Sequence, residues 1–509
     1  MRDALQTPDP DVKRILGEFE TRSGLSGVDY ELKDRPDGQA LIIRLSNPTE
    51  RFYRVLQEIN ASEGAVTTST VQRRIPTNRL LSPEARYFHR ILAESLNINR
   101  YSFKEDFFAR YTKSVSNAEA QIIVSANHIV FGRRGAGKSS LLLYAMRLRE
   151  KENQPTVWVD MQVYEKRSDS RIVFDVFSDV LRQLQSTESG PSDYSHAIRL
   201  LERSKETPEI DDDKIRQMLP ELRQTFSSLR ERSQDLFIFL DDFHVVDRDI
   251  QPKLLGFIYS ITRGNNIFLK LSAIESLTRS WDATGHTGLQ VPHDAQTIKL
   301  DYNLTMPDKA TKHIEGILDA HAVYSGLPSV RFLCTSADVL PRLIWVSAGV
   351  PRDAISMFAQ AMTRGTTANR SRVSVTDVNL AASEMVSQKM RDLEIDVPAE
   401  EDENAVSGVL ERVKDFCIKQ KRINAFLVEI INDSLYQSVL KLVDLRLIHV
   451  ISEGITVGEA GRKYLALILD YGFYTEVRAA QSVDLFNKQT ERVTYKQLRR
   501  LPVFARIES

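Results

Sequence analysis

Cysteine is nearly missing from this chain of 509 residues. Only Cys334 and Cys417 occur, far apart, so neither a disulfide framework nor a zinc site follows from their spacing, and the expected compartment is a reducing cytoplasm. No apolar run approaches the ~20 residues a membrane-spanning helix needs. The opening Met-Arg-Asp-Ala-Leu-Gln-Thr-Pro lacks a signal-peptide core, so no membrane partner is expected. An excess of either charge is lacking too. With 68 Lys and Arg against 69 Asp and Glu the net charge is −1, which excludes a uniformly basic nucleic-acid coat and leaves room for a local basic face. What is present is ordinary for a globular protein, 42% hydrophobic and 27% charged. The length exceeds what one core can fill and points to roughly three to four domains.

One stretch organises the rest. Gly132 to Ser139 reads G-R-R-G-A-G-K-S and fits G-x-x-x-x-G-K-[S/T] at every fixed position. The apolar run His128-Ile129-Val130-Phe131 precedes it with strand character, and Ser140 to Met146 follows as a good helix former. Strand, glycine loop and helix is the order that converges backbone N–H groups on an anion. Gly135 and Gly137 let the backbone turn where a Cβ would be strained. Gly132, Arg133, Arg134, Gly135, Ala136, Gly137, Lys138, Ser139 and Ser140 are therefore the expected nucleotide contacts. Lys138 is expected to reach the β/γ-phosphates, and the Ser139 hydroxyl to ligate Mg²⁺. Arg133 and Arg134 meet a neighbouring subunit or are solvated.

The second landmark is Leu236-Phe237-Ile238-Phe239-Leu240-Asp241-Asp242, an apolar strand that delivers two carboxylates at its C-terminal end. Asp241 is the candidate metal ligand, and Asp242 is placed to orient or deprotonate an attacking water. A third strand, Asn266 to Ala273, ends near Ser272, which either senses the γ-phosphate or its water or is a plain strand-end serine.

Ahead of these lies a small unit, residues 1 to about 65, with helical spacing at Val12, Ile15, Leu16 and Phe19. Two strands follow around the turn Pro36-Asp37-Gly38, and then a helix from Glu50 to Ile59. Gly64 to Asn78 reads as a Thr/Ser/Arg-rich linker, and Pro83 to Ser95 as a helix. Phe103, Phe107, Phe108 and Tyr111 are expected to pack onto the following core. At the far end Val397 to Asn404 is an acidic linker. Helices at 406–420, 424–431 and 434–445 follow it, then strands at 447–451 and 455–457, and a further helix from Gly458.

Strand–phosphate loop–helix, then a strand ending in Asp-Asp, then one ending in a polar residue, resembles the AAA+ and STAND superfamily. Gly349-Val350-Pro351-Arg352 looks like its Gly-x-Pro-Arg sensor-2 segment, and the arrangement is closest to the origin-recognition-like ATPases. The resemblance implies an α/β fold: a P-loop parallel-sheet core with a helical lid, a C-terminal winged helix and a small N-terminal α/β domain. The expected order is 1–65 N-terminal domain, 66–100 linker and helix, 101–303 P-loop core, 304–395 lid, 396–475 winged helix and 476–509 basic extension. The resemblance makes Arg352 a catalytic candidate beside Lys138, Asp242 and Ser272, because a lid guanidinium binds only when triphosphate draws the lid closed. Asp242 stands where vigorous motors carry glutamate, which implies slow hydrolysis. Arg279 is the nearest thing to an arginine finger, with a surface role as the competing reading.

The function so implied is an ATP- and Mg²⁺-dependent switch that self-associates through its ATPase domain. Double-stranded DNA is a candidate partner of the winged helix, whose third helix offers Gln437, Lys441 and Arg446 but also Asp433 and Asp444 and so is no strong phosphate-binding face, and of the basic run Lys488 to Arg506. The bland reading of that run is a solvated tail helix packed through Val493, Leu498 and Leu501. The family resemblance also suggests mobile-element or antiviral settings. The alternative is a nucleotide-holding scaffold that recruits an effector protein through its N-terminal domain. A small-molecule kinase is disfavoured, because it needs neither lid nor winged helix.

Overall fold

The computed structural model describes residues 10–36, 38–61, 68–186, 194–205, 212–231, 235–300, 307–396, 402–431, 433–457, 461–474, 483–486 and 493–505. The chain forms two compact units, Ile98–Asp301 and a second made of Met1–Asn97 with Tyr302–Ser509.

The N-terminal part of the larger unit comprises α1 (Pro10–Ser23), β1 (Asp29–Arg35), β2 (Gly38–Leu45), α2 (Glu50–Ala61), β3 (Thr68–Arg73) and α3 (Pro83–Glu94). β1 and β2 run antiparallel, and β3 lies parallel to β2 with Ala40 opposite Thr68. The helix expected from Pro83 is present, whereas β3 replaces part of the linker expected over Gly64 to Asn78. Its Thr/Ser/Val sequence carries no long apolar signal, yet alternate residues Ser69 and Val71 turn inward, as a half-buried pleated strand requires. Val12, Ile15 and Phe19 of α1 and Phe52, Leu56 and Ile59 of α2 pack on Leu41, Ile43 and Leu45 of β2. Pro83 opens α3 behind Ser82, whose hydroxyl accepts from the Ala85 amide at 3.2 Å.

The smaller unit is an α/β core around a five-stranded, all-parallel sheet. Its strands are β4 (His128–Phe131), β5 (Thr156–Asp160), β6 (Leu236–Asp241), β7 (Ile267–Ala273) and β8 (Gln296–Lys299), in the order β8-β4-β7-β6-β5. The near-continuous apolar runs of β4 and β6 are those of strands covered on both faces. β8 escaped sequence reading because Gln-Thr-Ile-Lys buries only Ile298. Helix α4 (Lys138–Lys151) leaves the sheet directly after β4. Tyr111 and Phe108 stack on its Tyr144 at ring separations of 4.4 and 5.2 Å, so the aromatic cluster packs on the core as expected.

The larger unit resumes with α5 (Pro307–Tyr324), α6 (Val339–Val346), α7 (Pro351–Thr367) and α8 (Val375–Asp396). The N-terminal part is built into these helices. Phe88 meets Phe358 edge-on at 6.1 Å, and the Asn47 amide donates to Gly326 O at 2.9 Å. The Leu80 amide donates to Ser371 O at 3.2 Å, and Ser95 Oγ meets His321 Nε2 at 2.9 Å. Gly326 has φ +92°, and a Cβ there would lie 3.0 Å from the Phe52 ring, so this junction needs glycine.

The C-terminal module differs from the expected three helices and two-stranded wing. It comprises α9 (Asp402–Lys414), β9 (Ala425–Glu429), α10 (Ser434–Asp444), β10 (Ile448–Thr456) and β11 (Lys463–Leu469). The strands form an antiparallel sheet in the order β9-β11-β10. The segment read as a helix at 424–431 is β9: Ala-Phe-Leu-Val-Glu is an apolar run too short and too uniform to show a period. The helix expected from Gly458 is likewise replaced by β11, although 458–460 themselves lie outside the described residues. Beyond the sheet, the Leu427 amide donates to Pro502 O and the Phe504 amide to Leu427 O, both at 2.8 Å, so residues 502–504 cover the free side of β9. Phe504 is buried against Phe416 and Phe426. Of the basic run, Lys496, Arg499 and Arg500 are exposed, while Leu498 and Leu501 are buried as the packed-tail reading expected; Lys488, Arg492 and Arg506 lie outside the described residues.

Candidate nucleotide-binding site

The phosphate loop runs from the C-terminal end of β4 into the first turn of α4. Gly135 (φ +80°) and Gly137 (φ +95°) take left-handed conformations, and Gly137 is the N-cap of α4. Gly132 is confined differently: a Cβ there would lie 3.2 Å from the Ala136 Cβ. The loop therefore curls tightly over the N-terminal, partially positive end of α4. Lys138 is buried, and its Nζ donates to Gly132 O at 3.1 Å and Arg133 O at 3.3 Å, so the ammonium lies across the mouth of the loop. Arg133 and Ser140 are half-buried, and Arg134 is exposed.

The carboxylates arrive from β6. Because β7 lies between β4 and β6, Ser272, paired with Val130 of β4, stands between the phosphate loop and the Asp-Asp end. Asp241 Oδ1 accepts from Ser272 Oγ at 2.5 Å and from Ser139 Oγ at 3.0 Å. Ser272 Oγ in turn accepts the Asp242 amide at 2.8 Å. One buried serine thus ties both carboxylate residues to the neighbouring strand, a role the sequence left open between phosphate sensing and plain packing. Burial, and then Asp242, push the Asp241 carboxyl up to about 6, against the lowering pull of Ser272, Ser139 and Lys138.

The pair Ser139 and Asp241 presents hard oxygen donors to one point, as the expected Mg²⁺ requires. Among the described residues no group of three or more His, Cys, Asp or Glu gathers to form an all-protein cage. Mg²⁺ suits such a two-donor site, since it commonly takes one or two protein oxygens and completes its shell with substrate phosphates and water.

Lys138, Ser139, Asp241, Asp242 and Ser272 thus come together in the smaller unit. Arg352 belongs to the larger one, where it is exposed in the first turn of α7 behind Gly349 (φ +73°) and Pro351. Arg279 is engaged locally, with Asp282 at 2.7 Å and Asp249 at 3.7 Å. Arg446, expected on a DNA-facing helix, instead pairs with the buried Asp353. Gln437 and Lys441 remain exposed on α10.

One residue at this site was missed. His244, three positions after Asp241, has a side chain only 5% exposed, and its Nδ1 lies 3.9 Å from Asp242 Oδ1. The only signal was the string Asp-Asp-Phe-His itself.

The all-parallel sheet, the phosphate loop and the paired carboxylates at the end of β6 define a P-loop NTPase type of α/β core. No family model and no curated protein matches the chain. Among solved structures it is similar to Cdc6p from Pyrobaculum aerophilum (14% identity, TM-score 0.38, covering 79% of this chain and 99% of that one). It is also similar to the Aeropyrum pernix ORC1 protein in complex with DNA (14%, 0.40, 73% and 93%). The Thermotoga maritima RuvB Holliday junction branch migration motor is a third (14%, 0.32, 61% and 80%). The expected link to antiviral or mobile-element systems finds no support among them.

Proposed function

We propose that the chain is an ATP-dependent switch that binds Mg·ATP at the phosphate loop, hydrolyses it slowly, and passes its nucleotide state to the C-terminal module. The observation that carries the reading is the hydrogen-bonded chain Ser139–Asp241–Ser272–Asp242 beside the buried Lys138. In this reading Lys138 holds the β/γ-phosphates, and Ser139 and Asp241 hold Mg²⁺, which neutralises phosphate charge when bound. Asp242 receives or orients the attacking water.

Arg352 is the proposed reporter. It neighbours Asp353, whose buried carboxylate pairs with Arg446 and lies 3.3 Å from the Lys389 ammonium. Lys389 also pairs with Asp470 at 3.0 Å, at the end of β11. A pull on Arg352 by triphosphate would therefore reach the C-terminal module through the next residue. The exposed Lys496, Arg499 and Arg500 support double-stranded DNA as the partner that senses the result, and self-association through the ATPase core is part of the same proposal.

Steady-state ATPase activity with and without duplex DNA, alongside Lys138→Ala and Asp242→Asn, tests the reading. DNA stimulation that both variants abolish is expected, with DNA affinity falling with salt at about 0.9 log units per log unit for each phosphate contacted. Tight nucleotide binding without turnover in either condition would replace the switch by a nucleotide-bound scaffold that recruits an effector protein.

A further inference from the structure

We infer that His244 is a positioning residue for Asp242: its Nδ1–H donates to the Asp242 carboxylate and fixes the direction in which that carboxylate meets the attacking water. The inference rests on the ATPase reading above and names a residue that neither the motif nor the resemblance supplied.

The Asp242 backbone is over-determined, whereas its carboxylate is not. Its amide is held by Ser272 Oγ, and its φ of +53° places it in the left-handed region, a conformation uncommon outside glycine, asparagine and aspartate. The next three residues, Phe243–Val245, form a single 3-10 turn, with Phe243 fully buried as its anchor. Among the described residues nothing donates a hydrogen bond to the Asp242 carboxylate, whose side chain is 39% exposed. A carboxylate with a fixed backbone and a free χ1 is a poor orienter of water.

The 3-10 turn brings His244 back beside it. The imidazole is buried, and its Nδ1 has no hydrogen-bond partner among the described residues. A buried ring nitrogen left unpaired is unfavourable, and Asp242 Oδ1 lies 3.9 Å away as an acceptor for it. Closing that gap to the usual ~3 Å needs a shift of about 1 Å, within reach of one side-chain rotation. The tautomer follows from the surroundings. Burial first, then Lys138 and Arg134, push the imidazole down to about 4 against the opposing pull of Asp242, so the ring is neutral at physiological pH. A neutral imidazole carries one N–H, and the carboxylate draws it to Nδ1.

The test compares His244→Ala, →Asn and →Gln by steady-state ATPase kinetics, with melting curves to check folding. Asparagine's amide nitrogen is as many bonds from Cα as Nδ1, and glutamine's as many as Nε2. The expected pattern is a fall in kcat of about tenfold or more for Ala with KM within about twofold, recovery of most of that by Asn, and none by Gln. In an Asp242→Asn background, His244→Ala should cost nothing further. An unchanged kcat in His244→Ala, equal losses in Ala and Asn, or full additivity with Asp242→Asn would each overturn the inference. A wild type that binds ATP without turnover removes the ATPase reading instead, and the pair is then judged by the ¹⁵N shifts of the His244 ring. A shift that moves on Asp242→Asn supports the bond, and one that stays put overturns it.

Discussion

Ser272 shows how much one small side chain carries. Its hydroxyl donates to Asp241 and accepts from the Asp242 amide, all within the buried end of the sheet. Ser272→Ala leaves that amide without its acceptor, at a cost of about 1–3 kcal/mol, and loosens the residue proposed to orient water. The variant should melt several degrees lower and turn over at least about tenfold more slowly, as calorimetry and steady-state kinetics would show. It also removes a contact that lowers the Asp241 carboxyl, already raised by burial and Asp242 to about 6. A raised acid favours the apo fold at low pH, and that contribution fades as pH climbs from about 4 through 6. Mg²⁺ needs the carboxylate, so binding of Mg·nucleotide should strengthen as pH rises to about 6 and release a proton at any pH below that. Titration calorimetry at pH 5.5 in buffers of different ionisation heat should detect that proton, and at pH 8 should not. Equal heats at pH 5.5 would refute the assignment of Asp241 to the metal.

At the scale of elements, legibility followed the strength of the local pattern. β4, the loop, α4 and β6 were readable because a phosphate site dictates glycines, a lysine and terminal carboxylates at fixed places. β3, β8 and β9 were not: two are too polar to announce burial, and the third is a five-residue apolar run that suits helix and strand alike. Also hidden was the cluster that joins α7 and α8 to the C-terminal sheet. No local signal says that Asp353, Lys389, Arg446 and Asp470, spread over more than one hundred positions, meet in one buried network. Burial works against the Lys389 charge, yet Asp470 and Asp353 hold it above the usual lysine range. His449 adds a contact to Asp470 at 2.9 Å. Asp353→Ala should destabilise the larger unit by about 3 kcal/mol, because it leaves the buried Lys389 with Asp470 as its remaining carboxylate and takes the partner of Arg446 away. Asp353→Ala combined with Lys389→Met should recover part of the loss. A denaturant series in which the two losses simply add would show that the contact is incidental.

The whole molecule is a contiguous unit inserted into a discontinuous one, which separates two folding problems. Residues 98–301 hold a complete parallel sheet, its covering helices and all five site residues that converge, in one uninterrupted segment. The larger unit depends on residues from both ends of the chain, because Phe88 and Ser95 meet helices that begin after residue 306, and Asn47 and Leu80 bond the turns that follow two of those helices. The two should therefore behave differently when cut apart. A fragment of residues 98–301 should fold alone and bind Mg·ATP. At ligand 100-fold above Kd the stabilisation is about 2.7 kcal/mol, which for a domain of this size raises Tm by about 5–10 °C. Lys138→Ala should erase that shift while leaving the unliganded Tm nearly unchanged. Residues 302–509 expressed without 1–97 should lack a cooperative transition, since the faces that receive Phe88 and Phe52 would meet water, and co-expression with 1–97 should restore it. A cooperative melt of 302–509 by itself would show that the N-terminal part is a separable docking domain, as the sequence first suggested. No ATP-dependent rise in a well-folded 98–301 would instead place an essential part of the nucleotide site outside that segment, with Arg352 the first residue to examine.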